Sequence, residues 1–397
     1  MSKKSIIGLL GLAGFVVMAD NWVVSPILPA IAENLNVDIA KAGLLISAYM
    51  VPFGLFQLIF GPLADRYGKK QVITFSMVIF TLATGLCALG GSLFGLSLYR
   101  ALTGVFAASV MPISLALIGD LFPLQERQGA IGTFMGIAFL GQGLSMAIGG
   151  ITAYFVSWRG VFALYALLSI IPTLMLMKSY KTLPSTRNPQ SRLLAPYAKL
   201  LGDGRSLGTY VLVLLEGLFI IGSFSYLGAY IAQAYHYNYL FIGLIMTGFG
   251  LATVVGGKLS GKLVKSLGPR KLLTLGLLSA MTADLVLACC GQWLGSLIGA
   301  VALLGLGFIF THSTLLTRAT EFAQQARGSA MSLVAFCFMG GGGLGTALGG
   351  ALIARWGMAS LFAAYGVALL LTCLLSFALI GRAAIEEARL APQKAQP

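Results

Sequence analysis

Three ionisable side chains stand inside long apolar stretches of the sequence. Asp20, Arg100 and Glu216 each have runs of hydrophobic residues on both sides. A charged group in such surroundings is costly unless it is paired or serves a function, so each is a candidate for binding a proton or a charged ligand. Together these residue types offer proton uptake and release on a carboxyl group, and ion pairing to a guanidinium.

The stretches that hold these side chains are long enough to cross a lipid bilayer. Of the 397 residues, 58% are hydrophobic and 10% are charged, whereas about a quarter are charged in an ordinary soluble domain. The apolar runs recur at about the 20-residue length of a spanning helix. The composition therefore predicts an all-α integral membrane protein surrounded by lipid.

Twelve apolar runs bounded by charges, glycine and proline predict twelve transmembrane helices, which we number in chain order. Their predicted limits are 5–33, 41–63, 71–90, 93–119, 129–156, 160–178, 208–233, 239–262, 271–291, 294–317, 328–354 and 359–381. The first run is too long for the core of a signal peptide. A polar segment with three prolines and many basic residues, 179–207, is predicted to be a linker.

Special residues of the first half recur 200 positions later. Gly61, Leu63, Gly68, Arg127, Gly141, Gly143, Leu144, Ala147, Gly149, Gly150, Phe162 and Tyr165 match Gly261, Leu263, Gly268, Arg327, Gly341, Gly343, Leu344, Ala347, Gly349, Gly350, Phe362 and Tyr365. Chance would not give separate clusters at one offset. The repeat predicts two pseudo-symmetric six-helix bundles, 1–178 and 208–382, joined by the linker 179–207 and followed by a tail, 383–397.

Basic residues are concentrated on one predicted side of the membrane. With the N-terminus inside, the outer loops hold only Lys41, Arg159 and Arg355, Arg100 lies in the membrane, and the remaining 22 of the 26 Lys and Arg residues face the cytoplasm. Cytoplasmic loops carry this excess, so we expect a plasma or inner membrane protein with both termini cytoplasmic. Because the net charge of +14 is spread over short loops, we expect no binding of nucleic acid.

The sequence does not favour catalysis, metal binding or signalling. It contains no phosphate-binding glycine loop, no nucleophile elbow and no metal-ligand spacing, and its five cysteines lie inside apolar runs. We therefore expect no enzyme activity, no cofactor and no metal. A transport-like membrane sensor is the alternative from another class, but the sequence shows no added soluble domain that would pass on a signal.

The loop after helix 2 carries a family signature. Its residues, Gly61-Pro62-Leu63-Ala64-Asp65-Arg66-Tyr67-Gly68-Lys69-Lys70, resemble the first cytoplasmic loop of the major facilitator superfamily. Asp20, Arg100, Asp120 and the glycine-rich helix 5 extend the resemblance, which is closest to the twelve-helix drug and metabolite exporters. One departure is Ser145-Met146, where proton antiporters of this family carry a Gly-Pro pair. The resemblance implies the major facilitator fold and alternating access to a site between the two bundles.

The signature loop predicts a gate. Gly61 and Gly68 would permit tight turns, and the resemblance implies that Asp65 meets the positive N-terminal end of helix 11, near Gly328. The other members of this predicted charge cluster are Arg66, Lys69 and Asp120. The alternative is that its basic residues only set the topology.

Glycines of helices 5 and 11 form a second group of gating candidates. Small residues let helices approach closely in lipid, and the two helices correspond in the repeat, so we predict that they meet partners across the interface between the bundles. The candidates are Gly143, Gly149, Gly343 and Gly349. Static packing is the alternative explanation.

Asp20 and Arg100 are predicted to form an ion pair. Asp20 lies ~22 Å along helix 1 from the inner end, and Arg100 lies ~11 Å along helix 4 from the outer end, which gives similar depths. Pairing would lower the cost of burying either charge, and a purely structural pair is the alternative. Thr103 and Met111 share the helical face of Arg100 and are predicted to line a substrate cavity.

Glu216 lies ~12 Å into helix 7 with no basic residue near it in sequence, which makes it a candidate proton carrier or cation binder. Phe219, Ser223 and Tyr230 fall on its helical face and are predicted to line the cavity. Tyr49 and Gln142 are weaker cavity candidates. The roles of His312 and Asp284 stay open: His312 can be a helix–helix donor or a titrating group, and Asp284 lies on the peripheral helix 9.

These features together predict a monomeric, proton-coupled secondary transporter that exports small amphipathic molecules by alternating access. Two carboxyl groups against one guanidinium favour cationic or neutral cargo. The open alternatives on the same fold are a carrier of a single metabolite and a lipid flippase. The substrate, the direction of transport, the coupling ion and the stoichiometry are not fixed by the sequence.

Overall fold

The computed structural model describes residues 3–183, 195–322 and 327–390, and this part of the chain is almost entirely helical. The first six transmembrane helices are Lys3–Trp22 with Val24–Asn34, Leu44–Tyr67, Lys69–Ala88, Leu93–Ala107 with Val110–Leu121, Leu124–Phe155 and Trp158–Ser179. The linker contains a short helix, Ala195–Gly202. The second six are Gly204–Glu216 continued by Gly217–Ile221 and Gly222–Tyr235, then Tyr239–Cys290, which holds helices 8 and 9, Leu294–Phe322, Arg327–Trp356 and Met358–Leu390.

Eleven of the described helices are long and apolar enough to cross a membrane. The longest, Tyr239–Cys290, contains two spans, because Gly268 interrupts it with a non-helical φ of 78°. The described chain therefore supplies twelve spans, as the sequence predicts. The all-α membrane architecture is confirmed.

Two helices break at positions set by proline. Helix 1 is interrupted at Val23 and helix 4 at Ala108 and Ser109. Pro26 and Pro112 follow these breaks, and proline has no N–H to donate to the carbonyl four residues earlier. The break in helix 1 lies three residues after Asp20, and the break in helix 4 ends two residues before the cavity candidate Met111.

Helix 7 contains a π-helical turn at Gly217–Ile221. A π-turn closes hydrogen bonds over five residues rather than four. The residues after the turn are therefore rotated relative to those before it by about one residue, or ~100°. Glu216 immediately precedes this turn, so the face it shares with later residues differs from that of a regular α-helix.

The two six-helix bundles contact each other on the face opposite the linker and the start of helix 1, which we call the far face. Helix 5 meets helix 8 there, with a Cβ added to Gly150 falling 2.4 Å from the carbonyl oxygen of Tyr239. Ser25 of helix 1 donates a 2.7 Å hydrogen bond to the carbonyl of Phe224 in helix 7. Helix 2 meets helix 11, where Ser47 donates to the carbonyl of Gly343 at 2.7 Å.

The same helix pairs separate toward the opposite face, which carries the linker and which we call the terminal face. Gly143 of helix 5 still contacts helix 8 at Gly250, but Gly136 and Gly132, on the same helical face, are exposed with no atom within 4 Å of an added Cβ. On helix 2, Gly54 still contacts the backbone of helix 11 at Phe336, whereas Gly61, two turns farther along, faces open space. The two bundles are therefore in close contact on the far face and diverge toward the terminal face.

The linker helix, Ala195–Gly202, lies at the terminal end of helix 2 and helix 11. Tyr197 is buried and donates a 3.0 Å hydrogen bond to the carbonyl oxygen of Leu58 in helix 2. That oxygen lies four residues before Pro62, which has no N–H to bond it. Tyr197 also lies near Ser332 of helix 11, so one tyrosine is positioned between helices of both bundles.

Replacing Tyr197 by phenylalanine is expected to lower the free energy of unfolding by about 1–3 kcal/mol, because the Leu58 carbonyl loses its partner. Thermal unfolding of the purified protein measures this. In a Pro62→Ala background the new N–H of residue 62 bonds the same carbonyl, so the effect of Tyr197→Phe should shrink. Equal effects in both backgrounds would contradict the assignment.

The loop glycines do not have equivalent roles. Gly68 has a φ of 107°, which glycine adopts readily, and its repeat partner Gly268 does the same at the join of helices 8 and 9. The prediction of a turn is thus correct for Gly68. It is wrong for Gly61, which lies inside helix 2.

Candidate functional site

Asp20 and Arg100 form a buried ion pair in the N-terminal bundle. The Nη1 atom of Arg100 lies 2.8 Å from Oδ2 of Asp20, and Nη2 donates to the backbone carbonyl of Asp20 at 3.3 Å. Their side chains are 0% and 1% exposed. The predicted pairing of the two residues is confirmed, and the pair lowers the cost of placing either charge in the membrane.

Aromatic rings enclose the guanidinium of Arg100. The ring of Tyr49 lies 4.2 Å from Cζ and the ring of Phe162 lies 5.6 Å from it, distances typical of cation–π contact. Oδ1 of Asp20 and the hydroxyl of Tyr49 are buried without a hydrogen-bond partner in the described part of the chain. The pair therefore keeps acceptor capacity for a proton or a ligand.

The C-terminal bundle holds a second buried acid, Glu216, which is paired with a histidine. Nδ1 of His312 in helix 10 lies 3.3 Å from the carboxylate of Glu216 in helix 7. Glu216 is fully buried, whereas the side chain of His312 is 21% exposed. His312 therefore covers the carboxyl group and presents its ring to the space between the bundles. The sequence reasoning missed this partner, because the two residues lie 96 positions apart.

A cluster of rings extends from His312 toward the far face. It comprises Trp22, Phe224, Phe249, Phe308, Phe338 and His312, and we call it the central aromatic cluster. Trp22 comes from the N-terminal bundle, at the break of helix 1, and all the other members come from the C-terminal bundle. The centroids of neighbouring rings are 4.5–6.2 Å apart. The cluster therefore packs the two bundles together on the far-face side of the Glu216–His312 pair.

Three residues of helix 7 that were predicted to line the cavity instead face helices 9 and 12. Ser223 donates to Asp284 in helix 9, Tyr230 donates to the carbonyl of Leu287 in helix 9, and Phe219 packs on Tyr365 of helix 12. The π-turn after Glu216 rotates the helix, so counting at 100° per residue gave the wrong face. The assignment of these residues to the face of Glu216 is therefore corrected, and Phe224 reaches the centre instead.

The remaining cavity candidates lie in the N-terminal bundle. Thr103 donates to the carbonyl of Tyr99 and lies 3.9 Å from Cys87 of helix 3, so it faces the bundle interior. Gln142 is buried and Met111 is half-buried. Tyr49 contacts Arg100, as described above, and thus belongs to the ion-pair site.

The gating glycines are divided between two kinds of contact. Gly343 meets Val51 of the other bundle, at 2.6 Å from an added Cβ. Gly149 and Gly349 instead face side chains of their own bundle, Val23 and Leu361 respectively.

The glycines one position later make the contact between bundles. Gly150 abuts Tyr239 and Gly243, and its repeat partner Gly350 abuts Ala40, with an added Cβ 2.7 Å from the Ala40 carbonyl. Equivalent residues thus form equivalent contacts in the two halves. The repeat contained this signal, since both Gly150 and Gly350 belong to it.

The charged residues of the signature loop lie on the terminal face. Lys69 forms a 2.6 Å ion pair with Asp120 of helix 4. Asp65 and Arg66 are exposed, and the guanidinium of Arg66 lies 5.7 Å from the ring of Tyr67. The contact of Asp65 with the start of helix 11 stays a prediction, because the side chains of 320–328 lie outside the described residues.

Comparison with known families agrees with this architecture. The family model of the Major Facilitator Superfamily matches residues 10–326 and 209–397. Uncharacterized MFS-type transporter YceJ of Bacillus subtilis (strain 168) is 32% identical over 66% of this chain and 68% of its own length. Puromycin resistance protein pur8 of Streptomyces alboniger is 26% identical over 85% of this chain and 79% of its own length.

Solved structures share the fold at lower identity. A bacterial homologue of the human lysosomal transporter Spinster, solved in an inward-facing and occupied conformation, aligns with a TM-score of 0.79 at 17% identity, covering 96% of this chain and 97% of its own. The nucleoside transporter NupG (D323A mutant) aligns with a TM-score of 0.74 at 14% identity, over 95% and 99% of the two chains. With the family model matched along both bundles, this chain is a transporter of the major facilitator superfamily.

Proposed function

We propose that this protein is a proton-coupled exporter of small amphipathic molecules, cationic or neutral, that works by alternating access. The observation that carries the proposal is the placement of Asp20–Arg100 and Glu216–His312 inside two bundles that touch on the far face and separate on the terminal face. Buried ionisable groups inside the bundles of a membrane transporter mark ion and substrate pathways.

The terminal face is proposed to be cytoplasmic. The excess of Lys and Arg in the loops of that face supports this orientation, with both termini inside the cell and the protein in the inner or plasma membrane. The described structure is then open to the cytoplasm, which is the state in which an exporter collects its cargo. Both bundles come from one chain, so we propose that the monomer is the transport unit.

Asp20, Arg100 and Glu216, with His312, are proposed to carry the coupling. In the cytoplasm-open state, loss of a proton from the Glu216–His312 pair leaves a net negative charge that attracts a cation. After the bundles rock to open the far face, protonation from outside removes that charge and releases the cargo. The central aromatic cluster supplies apolar contact for the amphipathic part of the ligand.

The loop and glycine residues are proposed to act as gates. Gly143 and Gly343 lie where helices 5 and 11 meet the other bundle, while Gly149 and Gly349 pack these helices within their own bundles. When the terminal face closes, Asp65 would reach helix 11, supported by Arg66, Gly68, Lys69 and Asp120. Exposure of Asp65 in the terminal-face-open structure supports a contact that forms only in the other state.

The names of several relatives support export rather than uptake. Puromycin resistance protein pur8 is named for resistance to a drug, and other relatives are named multidrug resistance proteins, one of them in Bacillus subtilis (strain 168) at 28% identity over 45% of this chain. The buried carboxyl groups and aromatic rings fit amphipathic cargo.

The function is tested by dissipation of a pH gradient in energised inverted membrane vesicles. Lipophilic cations, neutral drugs and sugars are added in turn to vesicles with the intact protein, Asp20→Asn or Glu216→Gln. We expect at least one lipophilic compound to dissipate the pH gradient in vesicles with the intact protein and not in vesicles with either variant. If no compound does so, the broad exporter is ruled out, and a single-metabolite carrier or a lipid flippase takes its place.

A further inference from the structure

A third carboxyl group lies inside the membrane, away from the centre of the protein. Asp284 of helix 9 is 0% exposed. Its Oδ2 accepts a 2.8 Å hydrogen bond from the hydroxyl of Ser223 in helix 7. Its Oδ1 is buried with no hydrogen-bond partner in the described part of the chain. The mechanism proposed above does not use this group.

The helices packed around Asp284 present hydroxyl groups and apolar atoms. From helix 12, Tyr365 is close enough to interact electrostatically with the carboxyl group, and from helix 7, Tyr230 bonds a carbonyl one turn farther along helix 9. Helix 10 packs on helix 9 through Gly307 and Ala280. The ion pairs found among the described residues do not include Asp284.

This environment is compatible with a neutral carboxyl group and not with a bare carboxylate. A charge buried without a counter-charge is strongly disfavoured, and the usual resolution is protonation. A metal cation is a poor substitute, because hard cations in proteins take about six oxygen ligands. The described contacts of Asp284 add only the Ser223 hydroxyl to the carboxyl group itself.

Asp284 is linked to the central site through helix 7. Glu216 immediately precedes the π-turn Gly217–Ile221, and Ser223 follows it by two residues. Glu216 therefore lies at one end of this distorted segment, and Asp284 is hydrogen-bonded to Ser223 just beyond its other end. A change in the length or winding of that turn would move the Ser223 hydroxyl relative to Asp284 and the Glu216 carboxyl relative to His312.

We propose that Asp284 is a second proton-binding site, occupied in the described state and coupled to Glu216 through the π-turn of helix 7. Occupancy of the site is independent of the transport reaction. The consequence for transport, that a second proton moves in each cycle, rests on the proposed function.

Infrared difference spectroscopy of the full-length protein in lipid nanodiscs at neutral pH tests the occupancy directly. The intact protein should show the carbonyl stretch of a buried protonated carboxyl group, and Asp284→Asn should lose that component. Asp38→Asn is the matched control, since Asp38 is a largely exposed carboxylate on the far face, and it should leave the band unchanged. Ser223→Ala should shift the band, because the neutral group loses its hydrogen bond.

Other outcomes overturn the proposal. An unchanged carboxyl band in Asp284→Asn would show that the group is ionised, and disappearance of the band when KCl is replaced by NaCl would assign the site to sodium. If Asp284→Asn does not fold, an unshifted band in Ser223→Ala decides against the proposal. In transport assays we expect Asp284→Asn to move one proton fewer per substrate. If the intact protein moves no protons, the proposed function fails while the infrared result still stands.

Discussion

Replacing Arg100 by leucine is expected to lower the free energy of unfolding by about 3–5 kcal/mol and to abolish transport. The substitution leaves the carboxylate of Asp20 fully buried without its partner, which costs far more than the pair is worth. Asp20 is 0% exposed, so water cannot replace the guanidinium without a change in structure. Thermal unfolding of purified protein and substrate flux measure the two effects.

The double variant Asp20→Asn with Arg100→Leu separates charge from packing. It removes both charges, so we expect it to recover most of the lost stability while transport stays absent. Arg355→Leu, an exposed arginine on the far face, should change stability by less than about 1 kcal/mol. If the double variant is as unstable as Arg100→Leu, the ion pair is not the cause.

Replacing Gly150 by alanine is expected to reduce transport by about 5- to 150-fold. The added Cβ would lie 2.4 Å from the carbonyl oxygen of Tyr239 and 2.9 Å from the Cα of Gly243, and both are backbone atoms of the other bundle. Overpacking of this kind costs about 1–3 kcal/mol, and the cost arises only when the far face is closed. The variant should therefore lower the population of the far-face-closed state by about 5- to 150-fold relative to the other state.

Gly299→Ala, at an exposed position of helix 10 outside the proposed gates, is the matched control. Its Cβ meets no atom within 4 Å, and alanine is the better helix former, so transport should persist. Spin labels at Asp38 and Gln233, exposed far-face positions of the two bundles, report the conformation. A longer distance between the labels is expected with Gly150→Ala only, and an unchanged distance in that variant would contradict the assignment.

The sequence predicted the features that depend on composition, on the repeat and on regular helices. Asp20 and Arg100 could be paired because a simple count of residues along helices 1 and 4 gives similar depths, and the breaks at Val23 and Ala108 lie beyond both residues. The repeat likewise identified helices 5 and 11 as the helices that meet the opposite bundle.

The errors come from local distortions and from contacts between distant segments. The π-turn after Glu216 moved Phe219, Ser223 and Tyr230 off the predicted face, and no rule of helical periodicity anticipates it. His312 was not recognised as the partner of Glu216, because tertiary packing alone brings helices 7 and 10 together.

Glycines that pack within a bundle and glycines that contact the other bundle are adjacent in the sequence. Gly149 and Gly150 differ by 100° around helix 5, and only a structure shows which of them faces helix 8. The central aromatic cluster was also missed, because its six members are drawn from five different helices.

The most direct test of the central claim counts protons and substrate together. Purified protein is reconstituted into liposomes that contain a pH indicator, a lipophilic cation identified in the vesicle assay is supplied on one side, and both fluxes are recorded. The account predicts that proton movement accompanies cation movement in the opposite direction, and that Glu216→Gln uncouples the two fluxes or stops both. Cation transport at an undiminished rate without any proton movement in the intact protein would contradict it.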